Sequence, residues 1–390
     1  MMKTVRYYGI EDVRYEELAV PDVGADDILI KVLYAGICGS DLHIYRKGMF
    51  VQRIPETMGH EFVGVIAAPG ENVKGFKPGQ LVTANPMVPC MECDSCQAGN
   101  YNTCDSLGFI GEVRPGCFAG YISMPEKDVI PIPEVGDISL DAENPNGDEM
   151  KLVSCGNSNS DEIKLNSGGN ESTCKKGNKD ESEIKNTYKI EMLKKIRKYV
   201  LTEPLAVALN VCHRINCSKS DKVAIIGAGP IGLLCCSVLK QVEGVEHVTL
   251  VDLAEARLTY GKAVGADLCI QNSDDLTDDY DVIVDCAGVA PSVNSAVKHV
   301  RSNGRIGIVS IFENPVGIDC SEIVNRQLNI IGANVYHRSD MEEAAELLSD
   351  SAYNFETVIT NEFPPEECKE AFALLNSGDK NAEKAVFTFA

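Results

Sequence analysis

Four cysteines lie close together in one polar, turn-rich stretch of the sequence, at Cys90, Cys93, Cys96 and Cys104. A thiolate at every third position, with a fourth a little further along, can surround one tetrahedral ion, and four thiolates leave no position for water. Four unrelated buried cysteines are the alternative, but the stretch is too polar to form a core. The spacing therefore predicts a structural zinc site.

A second set of possible metal ligands is dispersed along the chain. Cys38 stands in GICGSDLH, His60 and Glu61 stand in MGHEF, and Glu203 stands in LTEPLAVAL. Taken singly, a cysteine or histidine is more often a core or hydrogen-bonded residue than a ligand. Brought together, three such side chains could hold an open-sided zinc, whose last position takes water or a substrate oxygen.

A third pattern, VAIIGAGPIGLL, places Gly227, Gly229 and Gly232 between a buried strand and a helix, and Asp252 ends the next strand. Such glycines permit a tight turn, close approach of a pyrophosphate and close helix packing, while the carboxylate binds the adenosine ribose. A carboxylate there repels a 2′-phosphate, which favours NAD over NADP, although Arg257 could serve either form; a helix cap is the alternative role for Asp252. The predicted cofactor-binding residues are Gly227, Gly229, Pro230, Ile231, Gly232, Asp252 and Arg257.

Two kinds of element must position these groups. Residues 1–132 show short apolar runs separated by Gly, Pro, Asp and Asn, which is typical of strands and turns, whereas buried strands alternate with helices from residue 221. We predict an α/β chain: a mostly-β domain over 1–207, a doubly wound parallel-sheet cofactor domain over 208–312, and a return to the first domain over 313–390. Residues 143–188 are rich in Asn, Ser, Gly, Lys and Glu, and are predicted to be a structureless, low-complexity surface insertion.

Composition and charge limit the partners. A formal net charge of −22 opposes binding to nucleic acid, and no segment has the unbroken apolar run of a membrane span. The amino terminus lacks the pattern of a secretory signal, so a cytoplasmic location is expected, with the sixteen cysteines as thiols or zinc ligands rather than disulfides.

In combination, these motifs resemble the zinc-containing medium-chain alcohol and polyol dehydrogenases. The family pattern GxCGSDxH begins at Gly36, GHE stands at residues 59–61, and the four-cysteine lobe is complete. The resemblance implies that the mostly-β catalytic domain is GroES-like, that it is split in sequence around a Rossmann domain, and that the chain forms a homo-oligomer, a dimer or a tetramer. Glu203 matches the glutamate that stands near the catalytic zinc in the sorbitol, butanediol and threonine dehydrogenase branch.

The resemblance further implies two zinc ions per chain, one catalytic and one structural, and NAD-linked oxidation of a small secondary alcohol or vicinal diol to the ketone. Cys38 and His60 would bind the catalytic zinc, with Glu61, Glu203 or water completing the shell, and Ser40 and His43 would pass the proton to solvent. (R,R)-Butanediol, giving acetoin, is the favoured substrate. The alternatives are a polyol such as sorbitol, xylitol or a sugar-alcohol phosphate, L-threonine, or a non-catalytic NAD-binding protein.

Overall fold

The structure is a computed structural model. It describes residues 1–133, 190–378 and 381–390, together with the backbone of two short strands at 162–167 and 170–175. Within these ranges, the sheets fall into a mostly antiparallel group built from both ends of the chain and a parallel group built from its middle.

The antiparallel group is built around a seven-stranded sheet in the order β10-β6-β5-β3-β20-β19, in which β9 also pairs with β3. A three-stranded sheet, β2-β1-β4, and the pair β7-β8 accompany it. The strands of this group are β1 (Met2–Gly9), β2 (Asp12–Leu18), β3 (Asp27–Gly36), β4 (Glu56–Thr57), β5 (Glu61–Pro69), β6 (Leu81–Ala84), β7 (Met87–Val88), β8 (Gly108–Phe109), β9 (Tyr121–Pro125), β10 (Val129–Pro131), β19 (Ile359–Phe363) and β20 (Lys384–Thr388).

The parallel group is a six-stranded sheet in the order β15-β14-β13-β16-β17-β18. The order reverses direction between β13 and β16, and a doubly wound sheet binds its ligand outside the carboxyl ends of the strands at such a switch point. Its strands are β13 (Lys222–Ile226), β14 (His247–Val251), β15 (Leu268–Ile270), β16 (Tyr280–Asp285), β17 (Val300–Ile308) and β18 (Asn329–Gly332). This confirms the predicted α/β fold with a Rossmann-like sheet.

Helices connect the strands and cover the sheets. The longest, α4, buries an almost continuous apolar face, including Leu205, Leu209 and Val211, between the two groups of strands. The helices are α1 (Gly39–Lys47), α2 (Asp94–Gln97), α3 (190–197), α4 (Thr202–Ile215), α5 (Pro230–Ser237), α6 (Glu255–Ala263), α7 (Ala290–His299), α8 (Cys320–Arg326), α9 (Arg338–Ser349) and α10 (Cys368–Asn376). Every helix in the described ranges is too short or too polar to cross a bilayer.

The architecture departs from the predicted boundaries at both ends of the cofactor domain. Helix α4 runs across residue 207, and the sixth parallel strand, β18, lies beyond residue 312. Strand β18 pairs with β17 because its short apolar run, NIIG, extends the parallel ladder by one strand. The carboxyl-terminal segment returns to the first sheet, because β20 pairs antiparallel with β3.

The prediction that residues 143–188 lack structure was wrong in part. Strands β11 (Glu162–Ser167) and β12 (Asn170–Lys175) pair antiparallel, with Ser167 opposite Asn170. The rest of the predicted insertion lies outside the described residues.

Candidate active site and zinc-binding lobe

Cys38 and His60 are brought together by the ends of two neighbouring strands. Cys38 follows β3 and is the N-cap of α1, where its backbone N–H donates to the Asp41 carboxylate at 2.9 Å. This capping arrangement satisfies an amide at the helix start and fixes the direction of the Cys38 side chain. His60 directly precedes β5, which pairs with β3.

The backbone before His60 requires glycine. Gly59 has φ of +90°, and a Cβ atom there would lie 2.2 Å from the ring of Phe118. Only a residue without a side chain can adopt this conformation in the available space. The glycine of the GHE pattern therefore has a packing role that positions His60.

Ligand atoms of Cys38, His60 and Glu61 all lie within 4.8 Å of one another. Glu61 is also held from the other side, because Lys384 donates to both of its carboxylate oxygens at 2.8 and 2.9 Å. Glu61 and Lys384 are buried, and Lys384 comes from the carboxyl-terminal strand β20. The ends of β3 and β5 thus bring Cys38, His60 and Glu61 together, and β20 supplies the lysine that holds Glu61.

Glu203 lies close to this group but outside it. It is buried in the first turn of α4, and burial raises the pKa of its carboxyl group to about 7, an effect that the charge of His60 partly opposes. The hydroxyl of Tyr336, also fully buried, lies close enough to influence the same carboxyl group. Whether Glu203 enters a metal shell stays a prediction.

The charges around Cys38 and His60 fit a divalent cation. Asp41, Glu61 and Glu203 are buried carboxyl groups here, and the buried ammonium group of Lys384 pairs with Glu61. A surplus of buried negative charge is costly unless a cation compensates it. Burial lowers the pKa of His60, but the charge and hydrogen bonding of Cys38 together with the charges of Asp41 and Glu203 raise it well above its ordinary value. A zinc ion held by Cys38, His60 and a carboxylate would compensate this surplus.

The four-cysteine lobe is also preorganised for a metal. Ligand atoms of Cys90, Cys93, Cys96 and Cys104 lie within 4.8 Å of one another, and the sulfur atoms of Cys90 and Cys96 are 3.9 Å apart. A tetrahedral site with zinc–sulfur bonds of about 2.3 Å requires sulfur–sulfur distances of about 3.8 Å. The observed separation therefore fits a zinc ion bound by four thiolates.

Backbone amides of the lobe point at its sulfur atoms. The Cys90 N–H donates to Cys104 Sγ at 3.3 Å, the Cys93 N–H donates to Cys90 Sγ at 3.4 Å, and the Ser106 N–H donates to Cys104 Sγ at 3.4 Å. Hydrogen bonds from backbone amides lower the pKa of Cys93 to about 7 and also lower the pKa of Cys104. These amides favour the thiolate forms that bind metal.

The glycine-rich turn joins β13 to α5 at the switch point of the parallel sheet. A Cβ atom at Gly232 would lie 1.9 Å from the carbonyl oxygen of Gly227, so helix and turn pack in direct contact. Pro230 and Ile231 begin α5, with Pro230 at its first position, as helix starts favour. A Cβ atom at Gly229 would meet only Arg257 Nη1, at 3.8 Å, so this face of the turn is open.

Asp252 follows β14 and links the turn to the next loop. Its carboxylate accepts hydrogen bonds from the Ala228 and Ala254 N–H groups, both at 2.9 Å, and lies 3.5 Å from Arg257 Nη1. The N-cap of α6 (Glu255–Ala263) is Ala254 and not Asp252, so the carboxylate holds the loop before the helix rather than capping it, and its binding of the adenosine ribose stays a prediction. The turn, Asp252 and Arg257 therefore converge as the sequence predicts.

Ser40 and His43 lie on one face of α1, three residues apart. His43 Nδ1 lies 3.2 Å from the Glu313 carboxylate, which also pairs with Lys47. Glu313 follows β17, so this contact joins the catalytic part to the parallel sheet. Their role in proton transfer stays a prediction.

Sequence reasoning missed Lys384, Tyr336, Glu112 and Glu383 at these sites. Lys384 had one signal, a lysine at the start of the otherwise apolar strand KAVFT. Glu112 follows β8 and is buried, and its backbone carbonyl accepts from the Gln52 N–H at 3.1 Å. Contacts between residues so far apart in sequence are set by tertiary packing.

Comparisons with known proteins agree with this geometry. Residues 24–134 match the model of the alcohol dehydrogenase GroES-like domain, and residues 230–350 match the model of the zinc-binding dehydrogenase family. The chain is 27% identical to a sorbitol dehydrogenase from Halalkalibacterium halodurans over 95% of both chains.

Solved structures share the fold over nearly the whole chain. A short chain alcohol dehydrogenase from E. coli CFT073, in complex with NADH, superposes with a TM-score of 0.78 at 26% identity, over 99% of both chains. The 2R,3R-butanediol dehydrogenase of Bacillus subtilis superposes with a TM-score of 0.77 at 24% identity, over 100% of this chain and 99% of that one.

The fold, the two cysteine-containing sites and these matches establish that the chain belongs to the zinc-dependent medium-chain dehydrogenases. It is a zinc-dependent alcohol or polyol dehydrogenase.

Proposed function

We propose that this enzyme oxidises a secondary hydroxyl group of a neutral vicinal diol or polyol to the ketone, with NAD as the hydride acceptor. The observation that carries the proposal is the group of Cys38, half-buried, with the buried His60 and Glu61, beside further buried carboxyl groups. The likeness to a sorbitol dehydrogenase supports a polyol. (R,R)-2,3-Butanediol, the substrate favoured by sequence, is a small member of the same chemical class.

The residues of the site divide the work between binding and proton handling. When bound, zinc supplies a Lewis acid that lowers the pKa of the substrate hydroxyl group. Cys38 and His60 hold the metal, and Lys384 fixes Glu61 beside them. Glu203, whose carboxyl pKa is about 7, can hold or release a proton near neutral pH.

A proton released in this buried site needs a path to solvent. Ser40 and His43 lie on the same face of α1, and His43 is partly exposed, with 19% of its side chain accessible. The Glu313 carboxylate at 3.2 Å orients the imidazole ring of His43. We assign the outward proton path to Ser40 and His43, with Glu313 as a positioning residue.

Glu112 supports a neutral substrate over a phosphorylated one. Its carboxyl group is buried, and its pKa is raised by that burial, is lowered by His60 and is raised by Asp41. The neighbouring Phe109 packs edge-on against His60, with ring centroids 5.8 Å apart. A substrate at His60 therefore meets an apolar ring and a carboxyl group that can form hydrogen bonds with hydroxyl groups, and neither supplies a positive charge for a phosphate.

The test is NAD reduction by purified protein, followed by absorbance. The substrates are sorbitol, xylitol, a sugar-alcohol phosphate, the three stereoisomers of 2,3-butanediol and L-threonine, before and after treatment with a zinc chelator. We expect the best rates with a neutral diol or polyol and loss of activity on chelation. Cys38→Ser should abolish turnover, whereas Cys320→Ser, an exposed cysteine on α8, should not change it.

Two results would contradict the proposal. A preference for L-threonine or for the phosphate would show that the pocket selects another substrate class. A protein that binds NADH and zinc but oxidises none of the panel would favour the non-catalytic NAD-binding alternative.

A further inference from the structure

Arg257 lies between two carboxylates that come from distant parts of the chain. Its Nη1 atom is 3.5 Å from Asp252, at the end of β14, and its Nε atom is 3.0 Å from Glu383, which directly precedes β20. The side chain of Glu383 has no exposed surface, and that of Arg257 is 24% exposed. The guanidinium group is therefore paired on two sides before any cofactor binds.

The segment that carries Glu383 is held by one contact to the parallel domain and by one contact to the neighbouring strand β19. The Tyr260 hydroxyl on α6 donates to the Asn381 carbonyl oxygen at 3.0 Å, and the Glu383 N–H donates to Thr360 Oγ1 at 3.0 Å. These bonds hold the backbone on both sides of the Arg257–Glu383 ion pair. The carboxyl-terminal segment thereby places a carboxylate at the adenosine end of the cofactor site.

This placement determines the charge that a cofactor meets. Arg257 Nη1 lies 3.8 Å from the position of a Cβ atom at Gly229, so the guanidinium group borders the open face of the glycine-rich turn. One guanidinium group between two carboxylates gives a local net charge of −1. A 2′-phosphate on the adenosine ribose would be repelled by this charge, whereas the neutral 2′-hydroxyl of NAD can donate a hydrogen bond to Asp252.

We propose that Glu383 is a specificity-determining residue for the cofactor: by pairing with Arg257 it keeps the guanidinium group from serving a 2′-phosphate, and so restricts the enzyme to NAD. The sequence left open which cofactor Arg257 serves, because an arginine after Asp252 suits either. A freed arginine could bind a phosphate through two parallel hydrogen bonds. The inference concerns cofactor choice and is independent of the alcohol that the enzyme oxidises.

The test measures the dissociation constants of NADH and NADPH by nucleotide fluorescence, with no alcohol present. Glu383→Gln removes the charge but keeps the size of the side chain. We expect its NADPH dissociation constant to fall about tenfold, equivalent to about 1.4 kcal/mol, while that of NADH changes less than about threefold. The gain should vanish in the double variant Glu383→Gln/Arg257→Ala, because it depends on the freed guanidinium group.

Glu362→Gln is the matched control. Glu362 lies on the adjacent strand β19 and pairs with Arg197 at 3.5 Å, away from the glycine-rich turn. The substitution removes one carboxylate from the neighbouring strand and should leave the ratio of the NADPH and NADH dissociation constants unchanged. An equal rise in NADPH affinity in this variant would mean that overall charge, not Glu383, sets the preference.

Folding is followed in parallel by thermal unfolding, since Glu383 is buried. If Glu383→Gln does not fold, Glu383→Asp is the second variant. It retains the charge but moves it one methylene further from Arg257, and it should lower the NADPH dissociation constant at least about threefold. Unchanged NADPH binding in a folded variant, or a gain that persists without Arg257, would overturn the proposal. If none of the tested alcohols is oxidised, this result is unaffected, because nucleotide binding is measured without alcohol.

Discussion

At the scale of single residues, the ion pair between Lys384 and Glu61 has the largest expected effect on stability. Both side chains are almost inaccessible, and Lys384 contacts both carboxylate oxygens of Glu61. Removing one member of a buried pair leaves an unpaired charge, which costs about 3–5 kcal/mol. Lys384→Gln should therefore lower the free energy of unfolding by about 3 kcal/mol, measured by urea denaturation.

Lys47→Gln is the control for this prediction. Lys47 pairs with Glu313 at the surface, with 48% of its side chain exposed. Solvent screens such pairs, so this variant should change stability far less. Equal losses in the two variants would show that burial of the Lys384–Glu61 pair has no special importance.

At the scale of elements, two glycines in the turn between β13 and α5 differ in role. Gly232 is required for close packing, whereas Gly229 borders the open face of the turn. Gly232→Ala places a methyl group against the Gly227 carbonyl oxygen and should lower the free energy of unfolding by about 3 kcal/mol. Gly229→Ala meets open space and should change it by less than about 1 kcal/mol. Because the open face is where a pyrophosphate would approach, Gly229→Ala should still weaken NADH binding about tenfold.

Urea denaturation and NADH titration of both variants check this prediction. Normal NADH affinity in Gly229→Ala would mean that the pyrophosphate does not bind at this face of the turn. Full stability in Gly232→Ala would mean that α5 can shift without cost.

The helices α4 and α9 are joined by a contact that depends on pH. His213 Nδ1 lies 3.2 Å from Asp340 and Nε2 lies 3.5 Å from Glu343, with Glu243 also nearby. The hydrogen bond to Asp340 is the main cause that raises the pKa of His213 above its ordinary value. A raised pKa in the folded state contributes stability that is complete below the unfolded value of about 6.5 and is lost as the pH rises through the folded value.

His213→Gln should therefore be less stable than the wild type at about pH 6 and nearly equal to it at about pH 9. The side chain is 45% exposed, so solvent screening limits the expected difference to about 0.5 kcal/mol. Urea denaturation of both proteins across this range measures it. A difference that stays constant with pH would assign the effect to packing alone.

At the scale of the whole molecule, we expect the net charge of −22 to affect the choice of substrate. A strongly acidic protein repels anions, and the repulsion weakens with ionic strength. We expect kcat/KM for a sugar-alcohol phosphate to be lower than kcat/KM for the matching neutral polyol. The difference between the two values should decrease as the salt concentration is raised. If the ratio of the two kcat/KM values does not change with salt, the preference for the neutral polyol arises from contacts in the substrate pocket alone.

Much of this organisation was predictable from the sequence. The spacing from Cys90 to Cys104, the turn from Gly227 to Gly232 and the change from strands to alternating strands and helices are local patterns, and each directly predicts a local structure.

The sequence by itself determined the four-cysteine pattern, the cofactor turn and the acidic composition, because each depends on residues near one another in the chain or on composition alone. Only the tertiary structure decided that Lys384 pairs with Glu61, that Glu313 meets His43, and that Glu383 pairs with Arg257. These contacts join residues brought together by the pairing of β20 with β3 and by the packing of α1 and α6 against distant segments. Such pairings depend on how whole elements pack, and no spacing along the chain encodes them.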